Sequence, residues 1–330
     1  MQLTSETSDS AVKVVVPDDE PPVFEDSSAL ARLRRMPNIE LDLFTRRPAN
    51  TSDLIARING AHTVILARTT SRVSSAVLES SSVALKHVAI WGTAVDHVAL
   101  EAARRLGVVV TNTPDTATVA VAEHALALLL SLARKIPQLD MRVRQGEWPG
   151  GHLTQLAGKT LGIVGTGAVG KRLASIAEGI GMRILLSSMS ETKDGSDAPN
   201  WAEVSFSELL ANSDVVSIHA RLSAKTRSMF TASEFSHMKP TAFLINTARG
   251  DLIDTRALAA ALANETIAGA ALDVFDNEPL DRNSPLAQLP NVILTPHIAS
   301  NTAEALTVSQ NMVVDNVIDF FQGRVSHKVS

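Results

Sequence analysis

Four polar side chains stand at corresponding places in the second half of this 330-residue chain. His219 closes the apolar run 215–219, and Arg249 follows another in Phe243-Leu-Ile-Asn-Thr-Ala-Arg-Gly250. Asp273 sits at the end of the run 269–274, and His297 follows the run 292–295 in Leu294-Thr-Pro-His297. Each run reads as a strand, so each polar residue falls at or just past a carboxyl end. In an open parallel sheet, that edge is where ligands bind. The planar fork of Arg249 can grip a carboxylate through two parallel hydrogen bonds, which lysine cannot match; capping a helix or pairing with Asp251 is the plainer alternative. His297 can exchange a proton near physiological pH, or be a structural histidine. Glu278, in Asp273-Val-Phe-Asp-Asn-Glu-Pro279, can orient that ring and favour its charged form, or remain a solvated loop acid. Asp273 can accept from a carboxamide or simply cap its turn.

A second pattern explains what these groups would face. Leu161-Gly-Ile-Val-Gly-Thr-Gly-Ala-Val-Gly170 carries Gly165, Gly167 and Gly170 between an apolar strand, 160–164, and a helical pattern, 169–180. A dinucleotide needs that order: Gly165 for the tight turn, Gly167 for close approach of backbone to pyrophosphate, Gly170 for tight helix–strand packing. The pyrophosphate would rest on free N–H groups of the loop and helix start, from Gly165 and Thr166 through Gly167, Ala168 and Val169 to Gly170, where the helix dipole favours negative charge.

The elements that must position these groups alternate between strand and helix, which predicts an α/β fold with parallel sheets. Strands are expected at 12–16, 39–44, 63–67, 88–90 and 108–111, with helices at 27–35, 53–58 and 96–106. A long helix at 119–135, apolar almost all round, separates them from the glycine motif and should be buried. Beyond the motif, a further strand is expected at 183–187 and another at 242–246, with a final helix at 302–322 ending before Gly323. Because the motif begins near the middle of the chain, the nucleotide domain is expected as an insertion, with the last helix returning to the first domain.

Composition narrows the partners. The chain is 45% apolar and 20% charged with a net charge of −5, without the basic footprint that nucleic acid or an anionic membrane requires. It has no cysteine, which excludes disulfide and thiolate chemistry and accords with a reducing compartment. Residues 1–10 lack the basic-then-apolar layout of a signal peptide. The most apolar run, 125–132, is too short to span a bilayer. A cytoplasmic protein is expected, and no residues are spaced as a metal site.

Taken together the motifs resemble the D-isomer-specific 2-hydroxyacid dehydrogenase family. The likeness rests on Trp91-Gly-Thr-Ala-Val-Asp-His-Val-Ala-Leu100, Thr111-Asn-Thr-Pro114, Val121-Ala-Glu-His124, the Gly165–Gly170 loop, Asn246-Thr-Ala-Arg-Gly-Asp251, Ala271-Leu-Asp-Val-Phe275 and Thr295-Pro-His-Ile298. The resemblance implies two Rossmann-like or flavodoxin-like domains with the active site in the cleft between them: a substrate domain of residues 1–108, a Rossmann domain of 109–299, and a helix of 300–330 returning to the first. It implies a homodimer built through about 119–150. It implies hydride transfer between NAD(H) or NADP(H) and a 2-oxo or D-2-hydroxy acid, with Arg249, Glu278 and His297 catalytic. Cofactor contacts would extend to Ser188, His219, Thr247 and Asp273, the last holding the nicotinamide carboxamide. Substrate contacts would come from Arg68, Gly92, Thr93, Ala94, Arg249 and His297.

Departures from the family pattern bear on substrate and cofactor. Ala94 and His97 replace the usual glycine and asparagine, so the substrate loop is expected to be bulkier or differently hydrogen-bonded. The acid that binds the ribose of NAD is replaced by Ser187-Ser188-Met189-Ser190, which leans towards NADP(H), with Lys193 a candidate for its phosphate. Ile90 stands where phosphoglycerate dehydrogenases have arginine, and no amino-acid-sensing domain follows, so phosphoglycerate is disfavoured. Glyoxylate, hydroxypyruvate or a larger 2-oxo acid remain. The rival reading is an NAD(H)-sensing corepressor-like binding protein. A silent structural subunit would require a broken catalytic set.

Overall fold

The structure, a computed structural model, describes residues 11–81, 83–188 and 201–329. It divides into two compact units, one of residues up to Ala117 together with Thr302 onward, the other Thr118–Asn301.

In the first unit, strands β1 (Val12–Val16), β2 (Ile39–Leu43), β3 (Thr63–Leu66), β4 (His87–Ile90) and β5 (Val109–Thr111) alternate with helices α1 (Ser28–Arg34), α2 (Thr51–Ile58), α3 (Ser75–Ser81) and α4 (Leu100–Leu106). The sheet is parallel throughout, in the order β2-β1-β3-β4-β5. Val14, Val15 and Val16 are fully buried, as expected of a parallel strand covered on both faces. Local chemistry starts the helices: Ser27 and Asn50 cap α1 and α2 by accepting from Leu30 and Asp53 N–H.

Two expectations need correction here. The helix predicted from Asp96 begins only at Leu100, because Val98 instead forms a parallel bridge with Val73. Residues 109–111, expected to open the second domain, pair with β4 and complete the first sheet, and the unit runs on to Ala117.

The second unit begins with α5 (Thr118–Arg134) and α6 (Ile136–Arg144). It continues through β6 (Thr160–Val164), α7 (Ala168–Gly179), β7 (Arg183–Ser187), β8 (Trp201–Glu203), α8 (Phe206–Asn212), β9 (Val215–Ile218), α9 (Ala232–His237), β10 (Phe243–Asn246), α10 (Thr255–Ala263), β11 (Gly269–Leu272) and β12 (Val292–Leu294). Its seven strands are all parallel, in the order β12-β11-β10-β9-β6-β7-β8. The order reverses between β6 and β9, the switch point where such sheets take ligands. The buried face of α5, including Ala122, Ala125, Leu128 and Leu129, packs with Leu173 and Ala174 of α7 and with Ile245 and Ala271 of the sheet. The apolar character all round α5 is not matched by burial all round, since Val119 and Leu130 are exposed.

The chain closes with α11 (Ala303–Phe321), which places Val313, Val314 and Val317 among Val14, Val16, Leu30 and Ala89 of the first unit. No helix among the described residues is long and apolar enough to cross a membrane.

Candidate active site

The glycine loop leaves β6 at the switch point. Gly165 has φ +100°, and a Cβ there would lie 2.6 Å from the backbone of His219 and Ala220, just past the end of neighbouring β9. Only glycine combines that left-handed turn with that approach. A Cβ on Gly170 would stand 2.4 Å from the Gly165 carbonyl oxygen, so α7 is pressed against the turn. Gly167 differs, because a Cβ there would meet nothing within 4 Å. Gly167 is also the N-cap of α7, with no side chain capping the helix. The cradle at this helix start is thus open, and a Cβ would project into it. Ser217 Oγ and His219 Nε2 lie 2.8 Å apart, and burial pushes the His219 pKa down to about 4, so the ring is neutral. The hydroxyl of Thr247 is buried with no hydrogen-bond partner. Open helix N–H groups and an unsatisfied buried hydroxyl suit a phosphorylated, hydroxyl-rich ligand such as a dinucleotide.

Arg249 is held by a turn that Asn246 builds. The fully buried Asn246 accepts from Ala248 N–H at 3.0 Å and donates to the Arg249 carbonyl at 2.9 Å. The next residue, Gly250, packs so closely that a Cβ would fall 1.9 Å from the Phe275 carbonyl carbon. This contact brings the turn after β10 against the turn after β11, where Glu278 resides. Asp251 pairs with Arg227 at 2.5 Å, while the charge of Arg249 acts on Glu278.

Glu278 is fixed at both oxygens. Its Oε1 accepts from Phe275 N–H at 3.0 Å, and its Oε2 lies 2.7 Å from His297 Nδ1. Burial alone would push the Glu278 carboxyl up, but the His297 bond, the Phe275 N–H and the charges of His297 and Arg249 outweigh it and hold the pKa below the usual value. Arg249, Glu278 and His297 are therefore one electrostatic group at the ends of β10, β11 and β12.

Asp273, completely buried at the end of β11, accepts from Thr295 Oγ1 at 2.6 Å, Ile298 N–H at 3.0 Å and Ala299 N–H at 2.9 Å. Burial would raise its pKa, yet these bonds and His124 outweigh it and keep the carboxylate ionised. The turn-capping alternative is thus realised on the loop that carries His297. Neither the Asn246 turn nor the approach at Gly250 was foreseen from the sequence. The only signal was an asparagine and a glycine flanking an arginine after a strand.

In the first unit, the loop after β4 is pinned by the Thr111-Asn-Thr-Pro114 segment. Gly92 N–H donates to Thr113 Oγ1 at 2.7 Å, and Asn112 Nδ2 donates to the Thr93 carbonyl at 2.8 Å. Among the described residues, no hydrogen bond engages the N–H of Thr93 or Ala94. Arg68 lies over the Trp91 ring, 5.6 Å from its centroid, and donates to the Pro21 carbonyl. Burial lowers its pKa while the buried carboxylates of Asp19 and Asp18 oppose that. Ser188 follows β7, whereas Met189, Ser190 and Lys193 lie outside the described residues. No group of three or more His, Asp or Glu side chains among the described residues could hold a metal.

A sequence model of the D-isomer specific 2-hydroxyacid dehydrogenase NAD binding domain matches residues 126–299. The glyoxylate reductase of Aeropyrum pernix is 42% identical over 265 residues, covering 78% of this chain and 79% of that one. The chain belongs to the D-isomer-specific 2-hydroxyacid dehydrogenase family. Solved relatives agree over nearly the whole length. A protein of Thermus thermophilus superposes with a TM-score of 0.86 at 34% identity, covering 97% of this chain and all of that one. The NADPH-dependent glyoxylate/hydroxypyruvate reductase of Sinorhizobium meliloti, bound to NADP and malonate, gives 0.84 at 30% identity with 97% of each chain covered. This family member is an oxidoreductase that interconverts a 2-oxo acid and a 2-hydroxy acid with a nicotinamide cofactor. The reductase relatives favour that reading over the corepressor alternative.

Proposed function

We propose that the protein reduces a small, unphosphorylated 2-oxo acid, glyoxylate or hydroxypyruvate, to the D-2-hydroxy acid, and that it uses NADPH in preference to NADH. The observation that carries this reading is the Arg249–Glu278–His297 group past the carboxyl ends of β10, β11 and β12, the same edge of the sheet at which the glycine loop leaves β6. Glu278 occupies Nδ1 of His297, which leaves Nε2 as the atom that exchanges a proton with substrate. Held by the glycine loop, a reduced nicotinamide cofactor would supply the hydride that reduces the substrate carbonyl. His297 Nε2 delivers the proton to the carbonyl oxygen and takes it back in the oxidative direction. Glu278 stabilises the imidazolium. Arg249 binds the substrate carboxylate and faces the negative charge growing on the oxygen, an effect worth about 3 kcal/mol in comparable sites. In the first unit, Gly92 and the N–H groups of Thr93 and Ala94 are the substrate contacts that the family resemblance implies.

The cofactor would be held by Gly165 to Gly170, with His219, Thr247, Ser188 and Asp273 around it. Ser187 at the end of β7 and Ser188 after it carry no charge to repel a 2′-phosphate, which supports NADPH, and the Sinorhizobium relative is NADPH-dependent. Arg68 already faces two buried carboxylates, so it is poorly suited to a substrate phosphate. This argues for the unphosphorylated acids, with Arg68 shaping the pocket beside Trp91. A homodimer is part of the proposal: α6 has no buried residue, and Ile136, Met141, Val143 and Trp148 are all exposed. The cysteine-free chain suits the reducing cytoplasm.

The decisive experiment is a spectrophotometric screen of 2-oxo acids against NADPH and NADH. Turnover of glyoxylate or hydroxypyruvate with lower KM for NADPH is expected. Tight nucleotide binding without reduction of any 2-oxo acid would overturn the proposal. Sedimentation should show a dimer that Trp148→Glu together with Met141→Glu separates.

A further inference from the structure

The loop that presents His297 is held by groups that take no part in the proton transfer. His297 has φ +53°, a left-handed conformation that costs a residue other than glycine about 1 kcal/mol or more unless its surroundings impose it. They do. Asp273 grips both sides of the histidine, taking Thr295 Oγ1 before it and the N–H groups of Ile298 and Ala299 after it. The His297 N–H itself turns back to the Thr295 carbonyl at 3.1 Å.

A third residue joins from another element. His124 Nε2, on α5, lies 3.1 Å from Thr295 Oγ1 and 3.5 Å from Asp273 Oδ1. The proton positions follow from counting. The single hydroxyl proton of Thr295 goes to the Asp273 carboxylate at 2.6 Å, so towards His124 the oxygen can only accept. His124 therefore carries its proton on Nε2 and donates. The helix that carries it is anchored against the sheet through Ala122, Ala125 and Leu129, packed with Ile245 and Ala271.

We infer that His124, Thr295 and Asp273 form a positioning network that imposes the left-handed conformation of His297 and so aligns its ring with Glu278 for proton transfer. The inference rests on His297 being the proton donor. It gives Asp273 a task besides cofactor contact, and it gives Val121-Ala-Glu-His124 a role.

Three variants test it: Thr295→Val, which removes the hydroxyl at nearly constant volume, Thr295→Ser, which restores it, and His124→Gln, which keeps a donor. The readouts are kcat and KM for glyoxylate with NADPH, NADPH affinity by fluorescence, and nitrogen-15 spectra of the His297 ring without 2-oxo acid. Thr295→Val should lower kcat by about 100-fold, the scale expected of a displaced catalytic group. NADPH affinity should stay within about twofold, and the His297 ring signals should move. Thr295→Ser should recover most of kcat, and His124→Gln should fall between. Parental kcat with unmoved His297 signals in Thr295→Val would overturn the inference, as would weakened NADPH binding at unchanged kcat. If Thr295→Val fails to fold, parental kcat and unmoved ring signals in a folded His124→Phe would overturn it. Should His297→Ala keep parental turnover, the proton-donor reading fails instead, while the ring spectra still judge the positioning.

Discussion

Nδ1 of His297 and Oε2 of Glu278 lie 2.7 Å apart across a separation of 19 residues, and the other Glu278 oxygen is tied to Phe275 N–H. The carboxylate is therefore a fixed object, and the imidazole is oriented against it. Glu278→Gln keeps the shape but removes the charge that stabilises imidazolium. Its kcat for 2-oxo acid reduction should fall by about 100-fold, with NADPH affinity unchanged in a fluorescence titration. An unaltered kcat would show that the pair is structural.

Gly250 lets the turns after β10 and β11 touch. A Cβ at 1.9 Å from the Phe275 carbonyl carbon cannot be relieved by a rotamer change, so backbone must move. Gly250→Ala should lose about 3 kcal/mol or more of stability in urea denaturation, and kcat should fall because Arg249 and Glu278 separate. A variant as stable and active as the parent would mean that the turns yield easily.

Gly167→Ala should behave in the opposite way. The space around its Cβ is empty of protein, so the melting temperature should match the parent. Affinity for NADPH should drop by about tenfold or more, because the methyl stands where backbone must approach pyrophosphate. Equal affinity in calorimetry would remove Gly167 from the nucleotide site.

His87 offers a test by pH. It is fully buried in the first unit, with Nε2 2.9 Å from Thr111 Oγ1 and its ring stacked on Phe320, and burial pushes its pKa to about 3 from 6.5. Between those values the unfolded chain binds the proton and the folded chain does not. Stability is therefore fully present above the unfolded pKa and is lost as pH falls from about 6.5 towards 3. In His87→Phe, the slope of unfolding free energy against pH should flatten over that window. Parallel slopes for variant and parent would show that His87 takes up its proton without cost.

Much of the architecture was legible because parallel strands buried on both faces read as short unbroken apolar runs. Val12–Val16, Arg183–Ser187 and Thr160–Val164 stand as expected. Elements with weak or mixed patterns were not read: serine-rich α3, the exposed arm helix α6, and β8, whose Trp201–Glu203 stretch is only partly buried. The polar groups at strand ends were visible as departures from apolar runs. Their supports were not, since Asn246, Gly250, His124 and Thr295 act through partners that only the folded sheet brings near. The proline before His297 marked a loop, but nothing in the sequence announced its left-handed backbone.

Strand order carries a practical consequence. Five lateral steps separate β7 from β12 in the sheet, which at about 4.8 Å per step amounts to roughly 24 Å. Alterations near Ser188 and alterations near His297 are too far apart to share neighbours, so their free-energy effects should sum. On the proposed roles, a substitution at Ser188 that alters coenzyme choice should leave the turnover that depends on His297 unchanged.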